Sequence, residues 1–362
     1  MSHIERVLVT PVSVDLHTPF VTALRRTTTT DTVVVRLVDS DGVTGWGEAP
    51  QVWQVTGESL AGAAACIEGP LAAVVRGVDA DDLVPACRAV AGAVAGNFGA
   101  KSAVDVALHD LAARRRGVSL PVFLGSSTLT VATDVTLAAG DAEELAANAR
   151  KRVAEGFTVL KLKVGTDAAG DVGRVRAARE AAGPDALIRL DANQGWTARE
   201  AVRVISALED AHLDVELVEQ PVAAADLDGL AWVTSRVSTP VLADEAVYCV
   251  RNLVEVIRRR AADLVNVKLA KCGGLSAART LLEVARAHGV GTVVGSMMET
   301  HVGVGAAASL AAAYGTTAVA DLDAAWWAAS SPVVGGPAYD GPRVRLPDAP
   351  GLGIEALTES TG

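Results

Sequence analysis

Hydrophobic and polar residues alternate through much of the first fifty positions of the chain. The alternation covers 4–16 and 30–50, and because residues i and i+2 of a strand share a face, it predicts antiparallel strands. The turn sequence at 39–42, Asp-Ser-Asp-Gly, predicts a hairpin. Alanine-rich helical periodicity follows at 57–118 and is clearest at 101–116. The opening of the chain is therefore predicted to be a small α+β domain.

From about residue 131, short apolar runs alternate with amphipathic helical segments. The predicted strands lie at 131–138, 158–164, 187–192, 215–219, 241–244, 264–269, 291–297 and 318–323. The predicted helices between them include 142–155, 197–211, 250–261 and 276–288. Such regular strand–helix repeats predict an α/β protein with a (β/α)8-type barrel. A doubly wound sheet is the alternative, but it is disfavoured because the chain lacks a Gly-x-Gly-x-x-Gly turn.

These patterns predict that the chain is divided into three parts. We expect an N-terminal α+β domain at 1–125 and a barrel at 126–328. The Gly- and Pro-rich tail at 329–362 is expected to leave the barrel and rejoin the N-terminal domain.

Composition and charge narrow the class of protein. The net charge is −11 and no basic run exceeds three arginines, which argues against a nucleic-acid partner and against an anionic membrane surface. Four scattered cysteines without a Cys-x-x-Cys pair suggest free thiols of a reducing compartment. The sequence has no signal-peptide pattern and no apolar run of membrane-spanning length. We therefore expect a cytoplasmic protein.

Two lysines, Lys161 and Lys163, interrupt one of the apolar strands. Their spacing places both side chains on one face, and inside a barrel they would converge. Like charge and burial both favour the neutral amine, so one of these lysines could serve as a base near neutral pH. Taken alone, a solvated strand is the commoner explanation for such a pair. The residues that follow favour a site.

Acidic residues end three successive predicted strands: Asp191, Glu219 and Asp244. In such barrels the carboxyl ends of the strands carry the chemistry. Clustered carboxylates repel each other unless a cation lies among them, and oxygen ligands with an open position favour Mg²⁺. Each acid could instead cap the helix that follows it. Three in succession beside inward lysines make a metal site the better explanation.

A further lysine, Lys268, lies on the sixth predicted strand and would face Lys163 across the barrel. Two bases on opposite sides of a metal-bound carboxylate can reach both faces of the neighbouring α-carbon. One removes the proton and the other delivers one, as in a racemase or an epimerase. The metal would stabilise the enediolate formed between the two steps.

These motifs, together with the segment Gly45-Trp46-Gly47-Glu48, resemble the muconate-lactonizing-enzyme subgroup of the enolase superfamily over nearly the whole chain. Lysine bases with Mg²⁺ and an ene-diolate are a known pattern of that superfamily. The resemblance implies a modified TIM barrel and an α+β capping domain built from the N-terminal region and the C-terminal tail. Within the subgroup, the chain looks most like dipeptide epimerases of the L-Ala-D/L-Glu type.

The resemblance also implies the substrate contacts. Asp321 and Asp323 would bind the free α-ammonium group of a dipeptide, since acids at i and i+2 form an anionic pair on one face; solvated loop acids are the alternative. Asn193 and Glu245 would lie behind the metal ligands. The remaining implied substrate contacts are Thr136, Ser296, Met297 and Arg25, with Arg26 as the second choice for the arginine.

The sequence thus predicts a Mg²⁺-dependent dipeptide epimerase that forms homo-oligomers. Lys163 and Lys268 would be the acid/base pair, and Lys161 would lower the pKa of Lys163 and help hold the carboxylate. Arg25 would pair with a glutamate side chain, unless it lies in a solvated turn. Rival reactions on the same scaffold are those of muconate cycloisomerase, o-succinylbenzoate synthase and N-acylamino-acid racemase. A non-catalytic binder is a further alternative. The pair Trp326-Trp327 could face the site or an oligomer contact.

Overall fold

Three antiparallel strands open the chain in the computed structural model, which describes residues 2–22 and 26–358. They are β1 (Ile4–Val21), β2 (Arg26–Asp39) and β3 (Thr44–Pro50), paired in that order. The hairpin predicted at 39–42 is confirmed. The helices that follow are α1 (Leu60–Cys66), α2 (Ala72–Val75), α3 (Leu83–Ala93), α4 (Phe98–Arg115) and α5 (Leu120–Phe123), with a π-helical segment Ile67–Leu71 between α1 and α2.

Strand β3 packs unusually close to helix α4. A Cβ atom at Gly47 would lie 1.9 Å from the carbonyl oxygen of Ala103, and one at Gly45 would lie 2.1 Å from that of Ala107. No side chain fits at either position. The two glycines around Trp46 therefore let the sheet and the helix share one buried contact.

The barrel consists of parallel strands surrounded by helices. After a short strand β4 (Thr130–Ala132), its strands are β5 (Val135–Leu137), β6 (Val159–Lys163), β7 (Leu187–Asp191), β8 (Val215–Glu219), β9 (Val241–Ala243), β10 (Leu264–Lys268) and β11 (Gly291–Gly295), each next to its neighbour in sequence. The helices are α6 (Ala142–Ala154), α7 (Ala168–Ala182), α8 (Ala198–Asp210), α9 (Leu227–Thr234), α10 (Val250–Arg259), α11 (Leu269–Cys272), α12 (Leu275–Ala287) and α13 (His301–Tyr314).

The eighth predicted strand, 318–323, closes the ring through single bridges. Ala320 bridges Thr133 on one side, and Asp321 bridges Gly295 on the other. The backbone N–H of Asp321 donates to Val294 at 3.0 Å. The barrel is thus eight-fold, with a short last segment, and a 3-10 helix, Ala324–Trp327, follows it directly.

The strand predicted at 131–138 is two strands with different partners. Only β5 belongs to the barrel, whereas β4 pairs antiparallel with a strand of the tail. The prediction of one continuous strand was wrong, because alternation reports an extended backbone but does not identify its hydrogen-bonding partner. The tail strands are β12 (Val333–Gly335), β13 (Ala338–Asp340), β14 (Arg343–Arg345) and β15 (Ile354–Leu357).

Buried carboxylates of the N-terminal region reach the other parts of the molecule. Glu48 accepts hydrogen bonds from the backbone N–H groups of Thr300 and Gly303, each at 2.8 Å, at the start of α13. Asp110 on α4 accepts one from Trp46 at 2.8 Å and one from Leu352 in the tail at 2.5 Å. One hydrophobic core fills the space between barrel strands and helices, and a second lies under the three-stranded sheet. No helix in the described residues is long and apolar enough to cross a membrane.

Candidate active site

One cavity lies at the carboxyl ends of the barrel strands, beneath the far end of β1 and the segment after β3. Phe20 and Thr22 contribute one side of its cover, and Val52, Gln54 and Val55 the other. Most of the predicted site residues line this cavity: Thr136, Lys161, Lys163, Asn193, Asp244, Glu245, Lys268, Ser296, Met297, Asp321 and Asp323. The fold therefore brings together side chains from seven barrel strands or the loops that follow them.

Lys161 lies at the centre of the carboxylates. Its Nζ is 2.6 Å from Glu219 Oε2, 2.8 Å from Asp321 Oδ2 and 3.1 Å from Asp191 Oδ2. Burial lowers the pKa of Lys161, but the charges of these acids outweigh it and raise the pKa well above its usual value. The carboxylate neighbours therefore favour the charged form of Lys161, which was predicted to help hold the substrate carboxylate and not to act as the base.

Lys163 and Lys268 lie on opposite sides of the ring. Their strands, β6 and β10, are separated by three others. Lys163 Nζ is 2.5 Å from Asp191 Oδ2, and Lys268 Nζ is 2.8 Å from Asp244 Oδ2. Burial lowers the pKa of Lys268, but Asp244 and Glu219 raise it more, so the net shift is upward. Both ammonium groups reach the same cavity from opposite walls.

The three predicted metal ligands lie at the carboxyl ends of neighbouring strands, Asp244 directly after β9, and all are buried. Burial and the charge of Asp191 outweigh Lys161 and raise the pKa of Glu219 to about 7. The ammonium groups of Lys161 and Lys268 lie between the carboxylates and take up part of their charge.

Among the described residues, three buried oxygen atoms beside these acids have no hydrogen-bond donor: Asn193 Oδ1, Glu245 Oε2 and Asn266 Oδ1. Asn193 is held in place by its backbone N–H, which donates to Asp191 Oδ1 at 2.9 Å, and by its amide, which donates to Glu245 Oε1 at 3.2 Å. Burial and the charge of Asp244 raise the pKa of Glu245 to about 7. Donor-free buried oxygens are costly, and a hard divalent cation would offset that cost, so the residues present fit Mg²⁺.

The pair predicted to bind ammonium, Asp321 and Asp323, follows the last barrel segment. Asp321 Oδ2 contacts Lys161, and Asp323 Oδ2 accepts hydrogen bonds from the backbone N–H of Thr136 at 2.7 Å and from Trp327 Nε1 at 3.0 Å. Burial and the charge of Asp321 raise the pKa of Asp323. A cation between these two acids would relieve the repulsion.

Three charged residues of this centre were missed from the sequence. Lys271 is fully buried, and its Nζ lies 2.5 Å from Asp244 Oδ1. Arg189 Nη1 lies 3.1 Å from Asp134 Oδ2 beneath Asp321. Arg189 precedes Asp191 by two positions, so the spacing that placed Asp191 inside the barrel could have identified it. Lys271 follows Lys268 in an otherwise apolar segment, which was the available signal.

The described residues contain two groups of three side chains that could bind a metal ion. Within each group, the possible ligand atoms lie within 4.8 Å of one another. The group of Asp134, Asp321 and Asp323 belongs to this cavity. The other, Cys87, Asp105 and His109, lies between α3 and α4, where Asp105 Oδ1 accepts a hydrogen bond from Ser276 at the start of α12 at 3.1 Å. Asp105 thus has a structural role.

The arginine and tryptophan predictions have different outcomes. Arg25 lies outside the described residues, and Arg26 is exposed and does not line the cavity. Trp327 is buried against Phe20 and Met298, whereas Trp326 is partly exposed. The alternative of two exposed tryptophans at an oligomer contact is therefore wrong for Trp327.

Two protein-family models match the chain, one for each of its two main parts. The mandelate racemase / muconate lactonizing enzyme N-terminal domain matches residues 4–125, and the enolase C-terminal domain-like family matches residues 144–360. The chain is 40% identical to the L-Ala-D/L-Glu epimerase of Bacillus subtilis, with 96% of each chain covered. It is 37% identical to the hydrophobic dipeptide epimerase of Enterococcus faecalis, covering 97% of this chain and 99% of the other.

Solved structures agree with these relationships. The substrate-liganded complex of the B. subtilis epimerase has a TM-score of 0.96 and covers 98% of this chain and 99% of that chain. The E. faecalis dipeptide epimerase with Mg and the dipeptide L-Leu-L-Tyr is 37% identical, has a TM-score of 0.94 and has the same coverage. Both domains, the barrel and its site therefore have full-length counterparts. The chain belongs to the mandelate racemase / muconate lactonizing enzyme family of the enolase superfamily.

Proposed function

We propose that this protein is a Mg²⁺-dependent dipeptide epimerase that inverts the α-carbon of the C-terminal residue. The observation that carries the proposal is the placement of Lys163 and Lys268 on opposite walls of the cavity that also holds Asp321 and Asp323. One end of a dipeptide is an ammonium and the other a carboxylate, so this cavity complements both ends and leaves the α-carbon between two proton carriers.

The two lysines have complementary roles. For one substrate epimer, Lys163 removes the α-proton as the neutral amine, an enediolate forms, and Lys268 as the ammonium delivers a proton to the opposite face. For the other epimer the roles are exchanged. Lys161 contributes a fixed positive charge beside the reacting carboxylate. Its contacts with Glu219 and Asp191 keep it there.

Asp191, Glu219 and Asp244 are the proposed ligands of the metal. When bound, Mg²⁺ supplies positive charge next to the substrate carboxylate and so makes the α-proton more acidic. Asn193 and Glu245 lie beside the ligands and hold their orientation through the hydrogen bond to Asp191. The alternative group around Asp134 is disfavoured, because Asp134 Oδ2 is paired with Arg189 Nη1 at 3.1 Å.

A free α-ammonium on the substrate distinguishes this function from its rivals. Muconate, o-succinylbenzoate and N-acylamino acids lack that group, so Asp321 and Asp323 would have no cationic partner. Burial and the charge of Asp321 raise the pKa of Asp323, and a cation between the two acids would oppose that shift. Relatives named for dipeptides and the dipeptide-bound structure support the same choice.

The preferred C-terminal side chain is proposed to be glutamate, recognised by Arg25, which lies outside the described residues. Apolar side chains are the second candidate, because Phe20, Val52, Val55 and Met297 line the described part of the cavity. The Enterococcus faecalis relative is named a hydrophobic dipeptide epimerase. A charge-assisted hydrogen bond is worth about 1.5–3 kcal/mol, so Arg25 should favour Glu over Gln roughly 10- to 150-fold in kcat/KM.

The decisive experiment is incubation of a dipeptide library in deuterated water, read by mass spectrometry for deuterium at the α-carbon. Incorporation into the C-terminal residue of free dipeptides is expected. Deuterium incorporation into N-acylamino acids instead would support the function of an N-acylamino-acid racemase. Activity that persists after exhaustive chelation would contradict the metal-dependent mechanism.

A direct comparison of L-Ala-L-Glu, L-Ala-L-Gln and N-acetyl-L-Ala-L-Glu then tests the specificity. Acetylation should lower kcat/KM at least as much as the Glu-to-Gln change, because the two aspartates would face a neutral amide and each other. Equal rates for acetylated and free dipeptides would contradict the proposal that Asp321 and Asp323 bind the ammonium group. Equal rates for Glu and Gln would leave the epimerase but remove Arg25 from specificity.

We also propose a cytoplasmic location and a homo-oligomeric state. All four cysteines are free thiols, as expected in a reducing compartment. The oligomeric state rests on the family resemblance alone. Light scattering coupled to size-exclusion chromatography measures it, and a monomer mass would contradict it.

A further inference from the structure

The carboxylate of Asp323 is held by donors from two separate elements. The backbone N–H of Thr136 on β5 and the indole N–H of Trp327 both donate to Asp323 Oδ2, at 2.7 and 3.0 Å. Trp327 lies in the 3-10 helix four residues after Asp323. Because one oxygen receives both bonds, rotation of the carboxylate would break at least one of them. The indole therefore contributes to a fixed orientation of this acid.

The ring of Trp327 has a second contact, with the cover of the cavity. Its centroid lies 5.5 Å from that of Phe20 in an edge-to-face arrangement, and 5.3 Å from that of His17 in a stacked one. Phe20 lines the cavity, and Met298 completes the apolar cluster around the two rings. Such aromatic pairs stabilise the segment that carries them beyond their buried area alone. Trp327 thus touches both the acid and the cover.

We propose that Trp327 is a positioning residue for substrate binding: its indole N–H orients Asp323 toward the α-ammonium of the dipeptide, and its ring anchors Phe20 over the same substrate. The inference rests on the proposed dipeptide epimerase function. Asp323 is buried beside a second acid, and without the indole N–H its carboxylate would keep only the donors of Thr136. Trp327 pre-organises the acid and so lowers the cost of binding.

The test is the variant Trp327→Phe, with Trp326→Phe as the matched control. Both lose an indole, but of the indoles in the described residues only that of Trp327 donates to the Asp323 carboxylate. Trp326 bonds Asp323 through its backbone N–H, which donates to the Asp323 carbonyl oxygen at 3.0 Å and remains in the variant. Steady-state kinetics use the L-Ala-L-Xaa dipeptide that wild-type enzyme epimerises fastest, starting with L-Ala-L-Glu, and its N-acetyl derivative. W327F should raise KM for the free dipeptide roughly tenfold or more, with kcat within about threefold. W326F should stay close to wild type.

The ratio between the two substrates separates orientation from general packing. An N-acetyl dipeptide presents a neutral amide, so W327F should reduce the preference for the free dipeptide over the acetylated one. An equal loss for both substrates, or equal losses in W327F and W326F, would overturn the proposal in favour of a packing role. Wild-type kinetics in W327F would also overturn it. A wild-type enzyme that labels no dipeptide would overturn the epimerase function itself, and this inference with it.

A second variant guards against loss of folding in W327F. Benzothienylalanine introduced at position 327 by nonsense suppression has the shape of tryptophan but carries sulfur in place of the indole N–H. It keeps the packing against Phe20 and removes only the bond to Asp323. The same rise in KM is expected, and an unchanged KM would contradict the orienting role.

Discussion

At the scale of single residues, the centre of the barrel holds more buried acids than buried cationic residues. The buried acids are Asp134, Asp191, Glu219, Asp244, Glu245, Asp321 and Asp323, and the buried cationic residues are Lys161, Lys163, Arg189, Lys268 and Lys271. Burial, and after it the negative charge of neighbouring acids, raises the pKa of Glu219 and of Glu245 to about 7. A divalent cation and a substrate ammonium would together compensate this excess.

The metal assignment predicts different outcomes for two buried acids. Glu219→Gln removes one proposed ligand charge and should weaken Mg²⁺ binding by about tenfold or more, measured by calorimetric titration. Asp134→Asn is the control, because Asp134 is paired with Arg189 at 3.1 Å rather than with the triad. Its Mg²⁺ affinity should stay within about threefold of wild type. A larger loss in D134N than in E219Q would place the ion at the Asp134 group instead.

The two-base assignment predicts an asymmetry between the lysines. Lys163→Ala should lower the epimerisation rate at least about 100-fold, yet should still exchange the α-proton of one epimer with solvent through Lys268. Lys268→Ala should show the mirror pattern. Proton NMR in deuterated water follows both, and Lys151→Ala, on the exposed face of α6, is the control. Wild-type epimerisation in K163A or K268A would remove that lysine from the pair.

At the scale of elements, close backbone contacts set the position of the strand that carries Glu48. Gly45 and Gly47 allow β3 to touch α4, and α4 is buried along nearly its whole length between the sheet and the barrel. The atoms nearest to an added Cβ at these positions are backbone oxygens of α4, and they cannot move aside for a methyl group. The glycines are therefore a requirement of packing and not of turn geometry.

A pair of glycine substitutions tests this packing. Gly47→Ala should lower the free energy of unfolding by about 3 kcal/mol, because its Cβ would lie 1.9 Å from a helix carbonyl. Gly92→Ala in α3 has nothing within 4 Å of its added Cβ, and should raise stability by about 0.5–1 kcal/mol through helix propensity. Urea denaturation measures both. Equal stability of G47A and wild type would contradict the close approach.

At the scale of the whole molecule, buried acids of the N-terminal region connect three parts of the chain. Glu48 caps α13, Asp105 caps α12, and Asp110 binds the tail at Leu352. The cavity needs these connections, because its cover comes from the N-terminal region and its catalytic groups come from the barrel. Substitutions that remove these contacts should therefore lower the free energy of unfolding more than they weaken substrate binding.

The Glu48 connection gives a prediction at this scale. Glu48→Gln keeps the shape but replaces one acceptor oxygen with a donor, which cannot accept from Thr300 or Gly303. The free energy of unfolding should fall by about 1–3 kcal/mol. Glu68→Gln, on the exposed surface, should change it little. If E48Q and the wild type had the same free energy of unfolding, the hydrogen bonds of Glu48 to the start of α13 would not contribute to stability.

Some predictions stay open. The boundaries at 125 and 328, the role of Arg25 and the homo-oligomer are expectations from pattern and resemblance. Arg25 lies outside the described residues.

The sequence by itself determined the strand–helix order and the inward faces of the strands. Apolar periodicity depends on local backbone geometry, so β6, β7, β8 and β10 lie within a residue or two of their predicted bounds. The same two-residue spacing placed Lys161 beside Lys163 on one wall of the cavity.

Only the tertiary structure decided which distant segments meet. It paired β4 with the tail, closed the barrel through single bridges at Ala320 and Asp321, and set Trp327 against both Phe20 and Asp323. It also gathered the carboxylates around Lys161 that raise its pKa despite burial. Partner choice and electrostatic shifts depend on distances between residues far apart in the chain, and the pattern of polar and apolar positions does not contain those distances.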